Sequence, residues 1–258
     1  MKEGSFDETA RRYDSIAEQY REAKKLPFYD YVFRHTLFRL AGALEGKAAL
    51  DLGCGEGYYT RLLKQLGAAN VLGIDISREM INLAEGAERA GPLGCRYQVA
   101  DVASLHLDET FDLVTAVFLL NYAADRKQLL ELCRAIERTL KPGGQFIGLN
   151  FNMALDPAHY DDCRKYGRWQ STTADRVEGD VITVHLINED ATEACFDIYY
   201  LSPATYESAF AAAGLREFSW QALSVSQAGL EAYPEGYWDA FLAAPPAIGL
   251  QAKNSSAI

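Results

Sequence analysis

A short apolar run that breaks into alternating glycines constrains this chain more than any other feature. The segment AALDLGCGEG at residues 48–57 begins as a buried parallel strand over residues 48–52 and then places glycine at every second position from 53 to 57. Glycine tolerates positive φ angles and has no Cβ, so the backbone of such a turn can lie against a ligand. Residues 58–66 carry apolar side chains at helical spacing, which directs a helix N-terminus at the turn. We therefore expect a small-molecule site where the first strand ends.

The next strand narrows the kind of ligand. Residues 71–74 form a second apolar run that ends in Asp75, near the spacing of a ribose-binding acid. A dinucleotide fingerprint would have a third glycine where Tyr58 stands, and a phosphate-binding loop would have a lysine followed by serine or threonine. Asp51, just before the turn, would repel a pyrophosphate but could attract the ammonium group of an amino-acid tail. The pattern favours an adenosine ligand that carries an amino acid.

The motifs DLGCGEG (51–57) and GIDIS (73–77) resemble those of the class I S-adenosylmethionine-dependent methyltransferases. The resemblance implies S-adenosylmethionine as cofactor and S-adenosylhomocysteine as product, with Asp101 at the adenine amino group. The expected cofactor-binding residues are Tyr20, Asp51, Gly53, Cys54, Gly55, Asp75, Ile76, Met80, Asp101, Val102 and Phe118. Met80 as ordinary core and Asp101 as a helix cap remain alternatives. A nicotinamide oxidoreductase is the competing enzyme class. A further alternative is a tight turn that binds no ligand, but such a turn would account for only one of the three glycines.

Strand and helix patterns alternate from residue 46 to 150, which predicts an α/β fold: a Rossmann-like, doubly wound, mostly parallel seven-stranded sheet. We divide the chain into an N-terminal helical cap (1–45), a cofactor-binding core (46–150), an inserted loop and strand segment on the substrate side after the fifth strand (151–195), and the C-terminal part of the same domain (196–258). Further strands are expected at 193–201 and 216–224, with a helix at 203–213 between them. We expect the tail from residue 227 to fray.

Composition excludes several classes of partner. The net charge of −11 and the isoelectric point near 4.9 argue against nucleic acid and against an anionic membrane surface. The five cysteines are widely spaced, without a C-x-x-C pair or a histidine at zinc-ligand spacing, so we expect reduced thiols and no metal. The N-terminal residues have no apolar signal core, and no run is long enough for a membrane helix. The expectation is a cytoplasmic protein, a monomer by default with a homodimer possible.

Four longer phrases narrow the resemblance: RYDSIAEQY (12–20), LLNYA (119–123), SPATYESAFAAAGL (202–215) and YPEGYWDAF (233–241). Together they are similar to the toxoflavin-biosynthesis N-methyltransferase group, which methylates an azapteridine-like heterocycle. The resemblance implies methyl transfer to a ring nitrogen of a heterocyclic secondary metabolite, and it does not extend over residues 151–195. The alternatives are an O- or C-methyltransferase of a small aromatic compound and a non-catalytic module that binds S-adenosylmethionine.

The acceptor should lie beyond the strand ends, under the cap and beside the inserted strands. The candidates are Tyr13, Asn121, Tyr122, Asn150, His185 and Tyr199. In-line transfer from a sulfonium depends chiefly on orientation and demands no dedicated base. Tyr13 and His185 are the residues that could take a catalytic role, although a histidine in an alternating stretch such as ITVHL is more often a half-buried sheet residue.

Overall fold

The computed structural model describes residues 22–173, 175–187 and 193–255. Tyr13, Tyr20 and the rest of residues 1–21 of the expected helical cap lie outside these residues. A π-helical turn at Tyr29–Arg34 leads into helix α1 (His35–Ala41); the other helices are α2 (Tyr58–Gln65), α3 (Arg78–Ala90), α4 (Arg126–Thr139), α5 (Pro203–Ala212), α6 (Gln227–Ala232) and α7 (Asp239–Ala243). The strands are β1 (Ala48–Leu52), β2 (Asn70–Asp75), β3 (Cys95–Val99), β4 (Phe111–Val117), β5 (Leu140–Phe151), β6 (Arg168–Ser171), β7 (Val181–Ile187), β8 (Glu193–Tyr199), β9 (Leu215–Gln221) and β10 (Ala247–Asn254).

The central sheet contains seven strands in the order β3-β2-β1-β4-β5-β10-β9. Strands β1 to β5 are parallel, and β10 runs antiparallel to both of its neighbours. The strand order reverses between β1 and β4, and ligands of such sheets bind beyond the carboxyl ends of the strands at this switch point. The glycine turn after β1 lies there. The predicted fold class, a Rossmann-like and mostly parallel seven-stranded sheet, is confirmed.

The C-terminal tail is the main error of the sequence prediction. Residues 227–255 do not fray: they form α6, α7 and β10, and β10 pairs with β5 on one side and β9 on the other. Its buried side chains include Leu250 and Ala252. The run AIGLQAKN follows two prolines and is short of β-branched residues, so local propensity gave no strand signal. Pairing with β5 and β9, which are separate in sequence, stabilises this strand although its local propensity is weak.

A separate three-stranded antiparallel sheet, in the order β6-β7-β8, follows β5. The alternation that the sequence shows over 181–186 becomes a buried face and an exposed face. Val184 and Phe196 point inward, and the Phe196 ring packs on Phe151 at the end of β5, 6.2 Å between centroids. Strand β8 therefore belongs to this small sheet, which continues past residue 195, and β10 is the strand that completes the central sheet.

Candidate cofactor-binding site

The glycine turn after β1 has the backbone that its sequence predicts. Gly53 and Gly55 have φ angles of 69° and 56°, in the left-handed region where a side chain is strained. The Cys54 amide donates to the carbonyl of Ile74 in β2 (2.9 Å), which fixes the turn to the neighbouring strand. A Cβ built on Gly55 would point toward Lys24 Nζ (3.8 Å) and Met80 Sδ (4.0 Å). Glycine at this position therefore leaves open space above the turn.

That space is a cleft of about 890 Å³, counted to its open mouth. Its lining is Lys24, Tyr29, Gly53, Cys54, Gly55, Tyr59, Asp75, Ile76, Met80, Asp101, Val102, Val117, Phe118, Leu119, Tyr122 and Leu132. Nine of the eleven expected cofactor residues are in this set, and so is Tyr122 from the acceptor group. Of the other two, Tyr20 lies outside the described residues and Asp51 lies behind the turn.

Asp75, at the end of β2, holds the turn and faces the cleft. Its Oδ2 accepts a hydrogen bond from the Gly55 amide (2.8 Å) and its Oδ1 accepts one from the Ser77 amide (2.9 Å). Burial raises the pKa of this carboxyl, while the two backbone N–H groups act in the opposite direction. A carboxylate has about four acceptor positions, so two remain for ligand hydroxyls. The carboxylate is thus oriented by its own turn before any ligand binds.

Asp51 occupies a different environment from the one expected. It is 1 % exposed, and its two oxygens accept hydrogen bonds from the hydroxyls of Thr60 (2.7 Å) and Thr115 (2.8 Å). Burial raises its pKa to about 6, against the opposing effects of the two hydroxyls and of Lys24. Asp51 therefore supports the turn from inside the sheet, and it can act on a ligand through its charge but not as part of the cleft wall.

The far side of the cleft is formed by the ends of β2 and β3. Ser77 caps α3 by accepting from the Met80 amide (3.1 Å), and Met80 lines the cleft with Ile76. Asp101 Oδ1 accepts from the Ala103 amide (2.9 Å), so this carboxylate is a cap as well as a lining residue. Both interpretations of Asp101 are therefore compatible with one structure.

Phe118 closes the cleft at the end of β4 with an unusual backbone. Its φ of 58° is rare for a bulky residue and is held by a hydrogen bond from its amide to Leu149 O (2.8 Å). The ring packs between Phe33 (5.3 Å) and Phe151 (4.9 Å). Strained residues of this kind are concentrated at ligand-binding sites. Packing on two elements holds the ring at the cleft wall.

Residues 50–148 match the model of a family described as a methyltransferase domain. The chain is similar to a ubiquinone biosynthesis O-methyltransferase from Coxiella burnetii, 34% identical over 110 residues that cover 42% of this chain and 45% of the relative. An N-demethylindolmycin N-methyltransferase from Streptomyces griseus is 29% identical over 211 residues, 80% of this chain and 85% of the relative.

Similarity in three dimensions extends over more of the chain. The crystal structure of an S-adenosylmethionine dependent methyltransferase from Mesorhizobium loti superposes with a TM-score of 0.62 at 20% identity, covering 90% of this chain and 100% of the other. At this identity the similarity establishes the fold. The chain spans about half the length of the first O-methyltransferase relative.

The expected acceptor residues that the structure describes separate into two groups besides Tyr122. Asn121 and Asn150 are fully buried and do not line the cleft; Asn150 Nδ2 donates to the Tyr206 hydroxyl (3.0 Å), while within the described chain Asn121 Nδ2 and Oδ1 and Asn150 Oδ1 have no hydrogen-bond partner. His185 and Tyr199 lie on the face of the small sheet opposite the one that packs on Phe151, and neither lines the cleft. The structure brings the two asparagines toward the strand ends and leaves His185 and Tyr199 outside.

Six lining residues were not expected from the sequence: Lys24, Tyr29, Tyr59, Val117, Leu119 and Leu132. Lys24 forms an ion pair with Glu56 of the glycine turn, 2.8 Å between Nζ and Oε1, and both side chains are 9 % exposed. Only the fold brings residue 24 next to residue 56. Tyr59 could have been predicted from the sequence, because the first turn of the helix after a glycine turn must face the site. Its buried hydroxyl has no hydrogen-bond partner among the described residues.

Proposed function

We propose that the protein transfers a methyl group from S-adenosylmethionine to a small molecule. The observation that carries the proposal is the position of the cleft: it lies at the switch point of the sheet, between a glycine turn at β1 and acids that follow β2 and β3. The match of residues 50–148 to a methyltransferase domain supports it. An NAD-type reaction has less support, since the helix after the turn begins at Tyr58 without the third glycine.

The residues present fit the cofactor. Gly55 leaves room for the amino-acid tail, and Asp75 has free acceptor positions for the ribose hydroxyls. Ile76, Met80 and Val102 offer apolar walls to an adenine, with Asp101 at its edge. The unpartnered Tyr59 hydroxyl gives a further hydrogen-bonding group inside the cleft. When bound, the cofactor supplies an activated methyl group on a sulfonium.

The chain's contribution to the reaction is orientation. Tyr29, Phe118 and Tyr122 form an aromatic wall beside the glycine turn, which can hold a planar acceptor in line with the methyl group and exclude water. Orientation of this kind contributes about 7–11 kcal/mol toward the barrier. Among the described residues, the side chains that line the cleft include no histidine, and burial raises the pKa of Cys54 and of Tyr59 well above their ordinary values. We therefore assign no general base to the cleft.

We further propose a ring nitrogen of a heterocycle as the methyl acceptor. The S. griseus relative, whose name specifies N-methylation, matches 80% of this chain, whereas the C. burnetii relative matches 42%. The longer match includes parts outside the cofactor motifs. Asn121, which precedes the lining residue Tyr122 and has unsatisfied amide atoms, would hydrogen-bond a heteroatom at the edge of such a ring. Methylation of oxygen or carbon in a small aromatic compound is the second candidate.

Calorimetry with S-adenosylhomocysteine and with NAD tests the cofactor. We expect saturable binding of S-adenosylhomocysteine by the wild-type chain, lost in Asp75→Ala, and no binding of NAD. Binding of NAD alone would overturn the proposal.

Isotopically labelled S-adenosylmethionine with a panel of nitrogen heterocycles, phenols and carbon acids tests the reaction. We expect label in nitrogen heterocycles, at a rate that Asn121→Leu lowers without changing affinity for S-adenosylhomocysteine. Label in phenols only would replace nitrogen by oxygen. Tight cofactor binding without turnover over the whole panel would favour a sensing module instead.

A further inference from the structure

The exposed face of the small sheet brings three metal-ligating side chains together. His185 Nδ1 lies 2.9 Å from Glu193 Oε1 and 3.3 Å from Cys195 Sγ, and Cys195 Sγ lies 3.2 Å from Glu193 Oε1. All ligand atoms of this group are within 4.8 Å of one another. None of the three residues lines the cleft, and the mechanism proposed above uses none of them.

Strand register explains the convergence. His185 in β7 is directly opposite Cys195 in β8, and Ile187 is opposite Glu193, so a nitrogen and a sulfur ligand project from adjacent strands on one face. The inward neighbours Leu186 and Ala194 are buried, which fixes the side of the sheet on which the ligands stand. The ligands are reached from solvent, since Cys195 is exposed and the Glu193 side chain is 46% exposed.

The imidazole is oriented before any ion arrives. Its other nitrogen, Nε2, is 3.1 Å from Ser171 Oγ, and its ring lies parallel to Trp169 at 4.8 Å, an interplanar angle of 2°. The Arg164 guanidinium is 4.0 Å from the centre of the Trp169 ring. Histidines that bind metals usually donate their second N–H to a neighbouring acceptor, which directs the free lone pair at the ion. Ser171 is placed to accept that N–H.

We propose that His185 Nδ1, Cys195 Sγ and a Glu193 carboxylate oxygen bind a divalent transition-metal ion of the zinc class, with solvent as the fourth ligand. Nitrogen, sulfur and carboxylate oxygen are the donor types that zinc takes in proteins. At bond lengths of about 2.0–2.3 Å a tetrahedral site separates its ligand atoms by roughly 3.3–3.6 Å. The observed separations need to open by only a few tenths of an ångström.

The metal ion would replace the protons of the hydrogen bonds that join His185, Glu193 and Cys195. Without metal, the Cys195 thiol donates its proton in a hydrogen bond to Glu193 Oε1 (3.2 Å). On binding, the thiol proton leaves to solvent, the imidazole proton resides on Nε2 facing Ser171, and bonds from sulfur, nitrogen and oxygen to the ion form. Thiolate and carboxylate together balance the two positive charges. The ion would join β7 to β8 at the end where the described residues stop.

Cobalt titration of the full chain, stripped with a chelator, tests the site. We expect one Co²⁺ per chain with a near-ultraviolet sulfur-to-cobalt band and tetrahedral visible bands, both displaced by Zn²⁺. The sulfur band should disappear in Cys195→Ser, and affinity should fall at least tenfold in His185→Asn. His159→Asn is the matched control, because His159 Nδ1 pairs with Asp162 (2.8 Å) but belongs to no cluster of three metal-ligating side chains among the described residues. A sulfur band that survives Cys195→Ser, or no saturable binding at all, would overturn the proposal.

A second measurement avoids variants. The other four cysteines are buried, so alkylation of the native chain should modify Cys195 first. We expect Zn²⁺ to slow this modification at least tenfold, as read by mass spectrometry. An unchanged rate under saturating Zn²⁺ would mean that the three side chains form only a hydrogen-bonded network.

Discussion

The cofactor cleft and the small sheet present two ways of assembling a site. In the cleft, neighbours in sequence lie together: Gly53 and Gly55 share one turn, and Asp75 is held by the amides of Gly55 and Ser77. On the small sheet, His185 and Cys195 meet only because β7 and β8 pair in one particular register. A local motif survives small errors in packing, whereas a shift of register by one residue would move every ligand to the opposite face. The two sites should therefore respond differently to damage.

The largest expected effect tests whether the two regions are separable. Phe196→Ala removes an inward ring of β8 that packs on Phe151, and a buried phenylalanine of this kind costs about 3–5 kcal/mol in the free energy of unfolding. We expect that loss in urea denaturation, with affinity for S-adenosylhomocysteine changed less than threefold. Val181→Ala, on the exposed face of β7, should change stability by less than about 0.5 kcal/mol. A large loss of cofactor affinity in Phe196→Ala would show that the ring contacts through Phe151 to Phe118 couple the regions.

The second prediction concerns the buried acid behind the turn. A folded-state pKa of about 6 lies above the ordinary value, so the native state binds a proton more tightly than the unfolded chain does. Stability that Asp51 contributes is complete below pH 4 and is lost as the pH rises through 6. A shift of about two units corresponds to about 3 kcal/mol.

Asp51→Asn should remove this ionisation cost. We expect the variant to be more stable than wild type by up to about 3 kcal/mol at pH 7, with the difference gone below pH 4. The amide can accept from Thr60 and donate to Thr115, whose hydroxyl also lies 3.4 Å from Leu50 O. Asp112→Asn is the control: its pKa is lowered by Lys141 and the Ala48 amide, so that substitution should destabilise above pH 4. Lower stability of Asp51→Asn throughout would contradict the prediction. A fall in cofactor affinity would show that the charge of Asp51 acts on the ligand.

The third prediction compares two glycines with the same backbone strain. Gly55 and Gly46 have φ angles of 56° and 75°, and neither Cβ would clash with protein atoms. Alanine at either position should cost about 1–2 kcal/mol of stability. Only at Gly55 does the added methyl enter the cleft, so we expect an approximately 10- to 200-fold loss of S-adenosylhomocysteine affinity there and almost none in Gly46→Ala. Equal affinities in the two variants would mean that the ligand binds away from the turn.

The contrast between the cleft and the small sheet also explains which features could be predicted from the sequence. The glycine turn, Asp75, Ser77 and the strand ends were predictable, because each depends on residues within one β-turn-α unit. Three other features could not be predicted from the sequence. They are the ion pair of Lys24 with Glu56, the position of β10 between β5 and β9, and the contact of His185 with Cys195. Each of these requires two segments remote in sequence to be placed by the packing of the whole chain. We expected no metal because of the spacing of cysteine and histidine along the chain. That spacing does not show which residues lie opposite each other on paired strands.

The smallest expected effect is a loss of stability when a contact between the small sheet and the core is removed. The stability that this contact contributes depends on pH with the opposite sign to that of Asp51. Glu178, between β6 and β7, accepts hydrogen bonds from Arg126 Nε (2.9 Å), Ser202 Oγ (2.8 Å) and the Thr205 hydroxyl, at the starts of α4 and α5. These contacts, Arg126 first, lower its pKa to about 2. The stability it contributes is therefore present above pH 4.5 and is lost as the pH falls toward 2.

Glu178→Gln should destabilise the chain by about 1 kcal/mol at pH 7, a modest value because solvent screens a side chain that is 30% exposed. Denaturant titrations from pH 7 to pH 3 should show this difference shrinking as the wild-type carboxylate begins to protonate. Glu131→Gln, which loses only a 3.8 Å pair with Lys127 on the surface of α4, should leave stability unchanged at every pH. If Glu178→Gln matched that control, the small sheet would be held by its buried face alone, and Phe196 rather than any surface carboxylate would join it to the central sheet.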